Sequence, residues 1–456
     1  MGSGFRVSGP GEHAGTYYAE PRPMPDTPKP ASPRSSASTR LDSIDALRGI
    51  AALMVAGYHI WGHYGVYPFP SLGVVPQTTN ADFFAYLVSP LRWGYLGVSL
   101  FLVLSGFCIH LPFARKRKET GGYQFDARQF YLRRMWRLYP AYAVSVIATF
   151  ILLQVTSHGT ALVASAPSIS DLLTHLTLIH TYFDRYFYGI VTVYWSLALE
   201  FQLYLAYPLF LYLFRKLGLT RSIALLTIFS IVWRIISMDV FHHNLISVAT
   251  GGPYSLMGFL FARMPEWLFG VWLAEWFVAG KSQPTQRMTL SFASIAVLIS
   301  AILSTLWEPL WSLTDILFGL GFAFLVAAAI TDRRQSHTAP ISNASSFILH
   351  PSSLTTHFYR LLIWIGTISY SVYLFHMQLS WFGNAWIQRL PGDVIPFILR
   401  IVVFVLSIPF IAIIFRFLEA PFLKAPRQGD RYYSIYNLLR KSIGTKKDAT
   451  IDVQHG

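Results

Sequence analysis

LDSIDALRGIAALMVAGYHIW, residues 41–61, is the stretch from which the rest of the chain is read. The apolar run that begins within it, residues 46–66, is long enough to cross a bilayer, which takes about 20 residues. Among its ionisable side chains, Arg48 and His59 stand out. Such a group inside a span costs about 2.5–3.5 kcal/mol on insertion scales and is a functional candidate by default. Eleven residues at about 100° each make three turns plus about 20°, so both side chains share one helix face, about 16 Å apart along the axis. Arg48 falls near the membrane surface and His59 near the middle. A cation at the mouth and an imidazole deep inside suggest a tunnel for a long anionic ligand. In the plainer reading, Arg48 anchors the span end and His59 is a hydrogen-bonded interior histidine.

The whole chain has the same character. Of its 456 residues, 53% are hydrophobic and only 13% charged, against about 25% charged in soluble domains. Further apolar stretches lie near 93–112, 138–157, 193–214, 221–238, 255–279, 288–307, 311–331, 361–382 and 397–418. The expected fold is therefore an all-α integral membrane protein, a polytopic bundle of about ten transmembrane helices. Residues 1–40, rich in Pro, Ser and Gly, read as a disordered tail, 41–425 as the transmembrane domain, and 426–456 as a second tail. Residues 171–190 are too polar to span and read as a loop or surface helix. Residues 332–359 read as a low-complexity linker.

Basic residues mark the cytoplasmic side of a membrane. With the N-terminus inside, inner segments and span ends hold 30 of the 36 Lys and Arg residues. Both termini are therefore expected in the cytoplasm. The same bias accounts for the net charge of +14 without any nucleic acid. The lone Cys108 excludes an intrachain disulfide.

Further polar groups interrupt later spans. FYLRRMWRLYP, residues 130–140, puts Arg134 and Arg137 on one helix face at the cytoplasmic end of its span. Guanidinium groups bind phosphates bidentately, so these side chains could hold a nucleotide phosphate or merely anchor the helix. RKRK at 115–118 reads as an anchor. Glu200 lies between Trp195 and Tyr204 and needs a partner, with Arg234 or an imidazole as candidates. It is either half of a structural ion pair or a catalytic orienter. Ser369, Tyr370, Tyr373 and His376 form a polar seam in IGTISYSVYLFHMQL, residues 365–379. A donor such as acyl-coenzyme A fits the tunnel, with phosphates at one end and a thioester at the end of its pantetheine arm. No HExxH pair or Cys/His array suggests a metal, and no nucleotide-loop or nucleophile-elbow motif is present.

In order along the chain, these elements resemble the membrane-bound acyltransferase 3 family of bacterial O-acyltransferases. Arg48 and His59 match its Arg-x10-His signature. Gly97, Ser105 and Gly106 fall in GYLGVSLFLVLSGF, residues 94–107, which resembles the second span, with Leu100-Phe101 where many members carry Phe-Phe. Arg134, Arg137 and Pro140 match an Arg-x-x-Arg before Leu-Tyr-Pro. Trp195, Ser196, Leu197, Glu200 and Pro208 match a Trp-Ser-Leu-x-x-Glu element. Gly366, Ser369, Tyr370, Tyr373 and His376 match a Gly-x-x-Ser-Tyr…His element, and Glu419-Ala420-Pro421 resembles a terminal Glu-x-Pro.

The resemblance implies transfer of an acyl group, acetyl above all, from acyl-CoA to a hydroxyl of a carbohydrate or glycosylated acceptor. It also implies a stand-alone form without the esterase-like domain of some members, residing in the cell inner membrane. His59 would be the essential base or acyl relay. Glu200 would orient it or compensate a cation. Arg48, Arg134 and Arg137 would hold the donor's phosphates, and Ser105, Tyr370, Tyr373 and His376 would line the cavity. The competing expectation is a transporter or flippase using His59, Glu200 and His376 as a proton relay. Inverted repeats would favour it, and the sequence shows none.

Overall fold

The computed structural model describes residues 42–62, 87–122, 124–156, 166–240, 258–281, 283, 285–331, 354–381, 384–387, 389–390, 392, 394–424, 426, 430 and 432–442. Among them the regular structure is helical, with no strand. The longer helices are α1 (Asp42–Gly62), α2 (Gly97–Thr120, entered through a 3-10 turn from Ser89), α3 (Ala127–Thr156), α4 (Ile169–Leu176), α5 (Tyr194–Leu217) and α6 (Leu219–Val240). They continue with α7 (Leu260–Val278), α8 (Gln286–Ser304), α9 (Trp311–Thr331), α10 (Leu354–Thr367), α11 (Ser369–Trp381), α12 (Val394–Ile414) and α13 (Tyr433–Ser442). The expected tail 1–40 and most of the expected linker, 332–353, lie outside the described residues. Its last residues, from Leu354, instead open α10.

Seven helices are long and apolar enough to cross a membrane: α2, α3, α5, α6, α8, α9 and α12. An eighth span results if α10 and α11 count as one. α1 and α7 also form where spans are expected, but α1 carries Asp45, Arg48 and His59, and α7 carries Arg263, Glu266 and Glu275. These groups keep both below the same apolar standard, so length and composition alone support seven spans rather than ten. α6, α8 and α12 turn large apolar side chains outward, among them Ile228, Ile235, Phe292, Ile299, Val405, Leu406 and Phe410. A helical belt of this kind matches a hydrocarbon solvent, where helices satisfy their own backbone groups.

Small residues let the central helices touch backbone to backbone. A Cβ on Gly106 would collide with the Trp267 carbonyl, and one on Gly270 with the Val103 carbonyl, which locks α2 against α7. In the same way Gly49 and Gly366 join α1 to α10, each lying against a carbonyl of the other helix, Leu362 and Asp45.

The expected continuous ninth span is broken. α10 and α11 meet at an angle of 83°. Tertiary contacts stabilise the break: Gly366 is pressed onto α1, while Glu419 accepts hydrogen bonds from the Ser371 backbone N–H at 3.1 Å and hydroxyl at 2.6 Å. That carboxylate satisfies one of the unpaired N–H groups at the start of α11 and complements its dipole.

A buried ionic cluster joins α6, α7 and α9. Arg263 pairs with Glu266 at 2.7 Å and with Asp315 at 3.1 Å, and Arg234 pairs with Asp315 at 2.9 Å. Arg234 also donates to the Ser312 carbonyl at 2.6 Å. It is therefore engaged by Asp315 and does not serve as the partner of Glu200, for which it was one of two candidates. Charges buried this deeply persist only when paired and hydrogen-bonded. In the last turn of α2, Arg117 pairs with Glu275, and Lys118 donates to the Val278 carbonyl at 2.8 Å. Half of the RKRK run thus ties α2 to α7.

Candidate functional site

A cavity of ≈ 130 Å³ opens where α1, α2, α3, α5 and the α10–α11 break converge. Arg48, Arg134, Arg137, Glu200, Glu419, Ser105, Tyr370 and Tyr373 all line it. Helical periodicity explains the placement of each set. Arg134 and Arg137 are one turn apart on α3, as are Ser196, Glu200 and Tyr204 on α5. The α10–α11 break brings Gly366, Thr367, Ser369 and Tyr370 to the same wall. The start of α11, with its partial positive charge, therefore lies beside three guanidinium groups.

The two carboxylates of the cavity already have partners. Glu200 Oε1 accepts from Ser105 Oγ at 2.6 Å and from Tyr204 OH at 2.5 Å, while Glu419 is held by Ser371. Ser105 in turn accepts from the Trp267 indole at 3.3 Å. By contrast, Arg48, Arg134 and Arg137 form no ion pair among the described residues, and Arg134 Nε is buried without a hydrogen-bond partner there. The Arg134 guanidinium lies over the rings of Phe130, at 5.6 Å, and Tyr204, at 6.0 Å.

The cavity stops short of His59, and His376 is not in its wall. The tunnel expected along α1, and the lining position expected of His376, would lie beyond this wall. Phe101 and Tyr373, both in the cavity wall, meet edge to face with ring centroids 5.7 Å apart. Tyr373 is fixed there by hydrogen bonds to Ser196 at 2.5 Å and to the Val193 carbonyl at 3.1 Å. Behind it, 6.1 Å away between rings, stands His376. His376 Nε2 lies 3.3 Å from His59 Nδ1, so α1 and α11 bring two histidines together across 317 positions of sequence.

Their tautomers follow from their neighbours. His59 Nδ1 is 2.8 Å from the Val55 carbonyl, and His376 Nδ1 is 3.0 Å from those of Val372 and Tyr373. A carbonyl oxygen only accepts, so each Nδ1 carries a proton and each Nε2 carries the lone pair of the neutral ring. Nε2 of His59 is thus the atom able to take a proton.

Sequence reasoning did not single out Ser196, Tyr204 or Glu419 as site residues. Glu419 had a usable signal, an acidic residue at the end of an apolar span. Ser196 and Tyr204 lie one turn on either side of Glu200, which was the available clue. No group of three or more metal-ligating side chains occurs among the described residues.

A family described as acyltransferase domain matches residues 41–416. O-acetyltransferase OatA of Staphylococcus aureus is 25% identical over 392 residues, covering 81% of this chain and 58% of that protein. The protein called "Putative acetyltransferase ORF330" of Acidianus two-tailed virus is 24% identical over 341 residues, 74% of this chain and 82% of its own length. The chain thus spans little more than half of the staphylococcal relative. No solved structure gives a significant match.

Proposed function

The chain belongs to the acyltransferase 3 (acyltransferase domain) family, and from that premise we propose that it moves a short acyl group, acetyl first of all, from acyl-CoA to a hydroxyl of a carbohydrate or glycosylated acceptor. The observation that carries the donor assignment is the contrast among the arginines. Arg234 and Arg263 are neutralised by carboxylates, whereas Arg48, Arg134 and Arg137 face a cavity without an ion-pair partner among the described residues. Three guanidinium groups beside a helix N-terminus suit phosphate oxygens, and the buried Arg134 Nε is a donor such an oxygen would satisfy.

In this reading the phosphates rest on the arginines and the pantetheine arm points toward Phe101 and Tyr373. Those rings part to admit it, and the thioester then reaches the histidine pair. His59 Nε2 takes the acceptor's hydroxyl proton as the oxygen attacks the thioester carbonyl. The C–S bond breaks, the coenzyme thiolate leaves, and it recovers the proton from His59. The products are the ester and free coenzyme A. A positioned base of this kind contributes about 10²–10⁴-fold. Glu200 holds the wall by tying α5 to α2 through the Ser105 hydroxyl.

The topology belongs to the same proposal. α1 and α7 cross the membrane with the seven apolar helices, and α10–α11 forms one broken span, for about ten in all. Both termini then face the cytoplasm of a cell's inner membrane, where acyl-CoA is available. Purified protein given radiolabelled acetyl-CoA should release coenzyme A and acylate a glycoside acceptor. A carrier would move solute across a vesicle membrane with no coenzyme A release, and that outcome would reject the reading.

A further inference from the structure

Resting on the acyl-transfer reading, we propose that His376 is a positioning residue for His59, accepting its Nδ1–H and so holding Nε2 as the basic atom. The argument begins with how His376 is fixed. It is buried, and its own Nδ1–H donates to the Val372 and Tyr373 carbonyls at 3.0 Å. Its Nε2 can therefore only accept. That nitrogen stands 3.3 Å from His59 Nδ1, which is also 2.8 Å from the Val55 carbonyl. The opposite tautomer of His59 would set an Nδ1 lone pair against both of these acceptors. Two fixed acceptors thus select the Nδ1–H form, as a carboxylate does in other catalytic sites.

The partner's neutrality suits its surroundings. An unpaired carboxylate at this depth would cost several kcal/mol, whereas a neutral imidazole adds no charge at rest. When His59 takes a proton at Nε2, its Nδ1–H becomes a stronger donor and the bond to His376 tightens. The rings packed around the pair are Tyr58, 5.2 Å from His59, and Tyr373, 6.1 Å from His376. His376 lies outside the wall of the cavity that holds the arginines, so its loss should leave donor binding alone.

The test compares His376→Phe, which keeps a ring but no acceptor, with His376→Gln, whose amide oxygen can stand where Nε2 was. His376→Phe should lower kcat by about 10- to 100-fold, the range seen when a metal-bound histidine loses its outer partner, with the KM and Kd for acetyl-CoA unchanged. His376→Gln should recover most of that loss. A His376→Phe enzyme with wild-type kcat would overturn the proposal, as would equal damage in both variants accompanied by weaker donor binding. If wild-type protein transfers nothing, the acyl-transfer reading fails and the positioning claim is decided separately. ¹⁵N shifts of labelled histidine, assigned with His59→Gln, should show His59 as the Nδ1–H tautomer in wild-type protein and as a mixture in His376→Phe. An Nε2–H His59 in wild-type protein would overturn the proposal by itself.

Discussion

Ser105 Oγ on α2 donates a 2.6 Å hydrogen bond to Glu200 Oε1 on α5, and Tyr204 OH, one turn further along α5, donates to the same oxygen at 2.5 Å. One carboxylate oxygen therefore joins two helices at the cavity wall. Glu200→Gln retains an oxygen able to accept both bonds, whereas Glu200→Ala strands two hydroxyls. Thermal unfolding in detergent should show Glu200→Ala destabilised by about 1–3 kcal/mol, the cost of orphaned buried donors, and Glu200→Gln by distinctly less. If the charge also serves transfer, activity of the Gln variant should fall at least about 10-fold, within the span of one charge-assisted bond. Equal stability of the two variants would show that the hydrogen bonds contribute little.

The arginines separate by what they touch. Arg134→Gln and Arg137→Gln should each weaken acetyl-CoA binding by about 1.5–3 kcal/mol, the range for bonds to charged groups, or about 10- to 100-fold. Arg115 and Lys116 are exposed, so neutralising them should leave affinity within about twofold, on the scale of the ±0.5 kcal/mol typical of surface changes. Arg117 is unsuitable as a control because it is paired with Glu275. Isothermal titration of each variant checks this. Equal losses at both groups would point to general electrostatics rather than contact.

Gly366→Ala tests the break between α10 and α11. Its Cβ would overlap the Asp45 carbonyl, which is backbone and cannot turn aside. The variant should lose about 1–3 kcal/mol or more, the usual cost of overpacking. Because Asp45 and Arg48 share α1, donor binding should fall with stability. Retained stability would mean that α1 and α10 slide apart easily.

His175 and His180 lie in the connection between α3 and α5, outside the apolar spans, with rings stacked 3.9 Å apart. α4 starts on a capping box in which Ser168 and Asp171 exchange hydrogen bonds. Burial lowers His175 to about 4, with backbone and charge contacts to Asp171 acting weakly the other way. Burial and the adjacent His175 lower His180 well below its ordinary value. A histidine depressed in the folded state is more readily protonated when unfolded, so stability is fully present above the unfolded value of about 6.5 and is lost as pH falls towards 4. The loss for His175 alone should approach ~3 kcal/mol. The melting temperature should fall between pH 7.5 and 4.5 in wild-type protein and fall distinctly less in His175→Phe. A wild-type protein equally stable across that window would contradict the assignment.

Much of this arrangement is written locally in the sequence. α1 is a regular helix from Asp42 to Gly62, so the shared face of Arg48 and His59 follows from helical spacing alone. The positions of seven apolar helices follow from length and hydropathy. The break between α10 and α11 was illegible because it depends on Asp45 and Glu419, both distant in sequence from Gly366 and Ser371. The same holds for Glu200, whose partner Ser105 is 95 positions away, and for His59 and His376. A run of residues reports its own periodicity, not which distant helix will face it. Arg263 and Glu266 carried a partial signal, an ion pair at i,i+3 within an apolar segment, but their completion by Asp315 and Arg234 is again tertiary.

The most direct measurement concerns His59. Purified His59→Ala should be compared with wild-type protein for acetyl-CoA affinity, by titration, and for single-turnover transfer of labelled acetyl to a glycoside acceptor. The substitution removes the base and leaves Arg48, Arg134 and Arg137 in place, so affinity should stay within about twofold while transfer falls by about 10²–10⁴-fold. Wild-type transfer by His59→Ala would contradict the account, and so would an affinity loss as large as the loss of transfer.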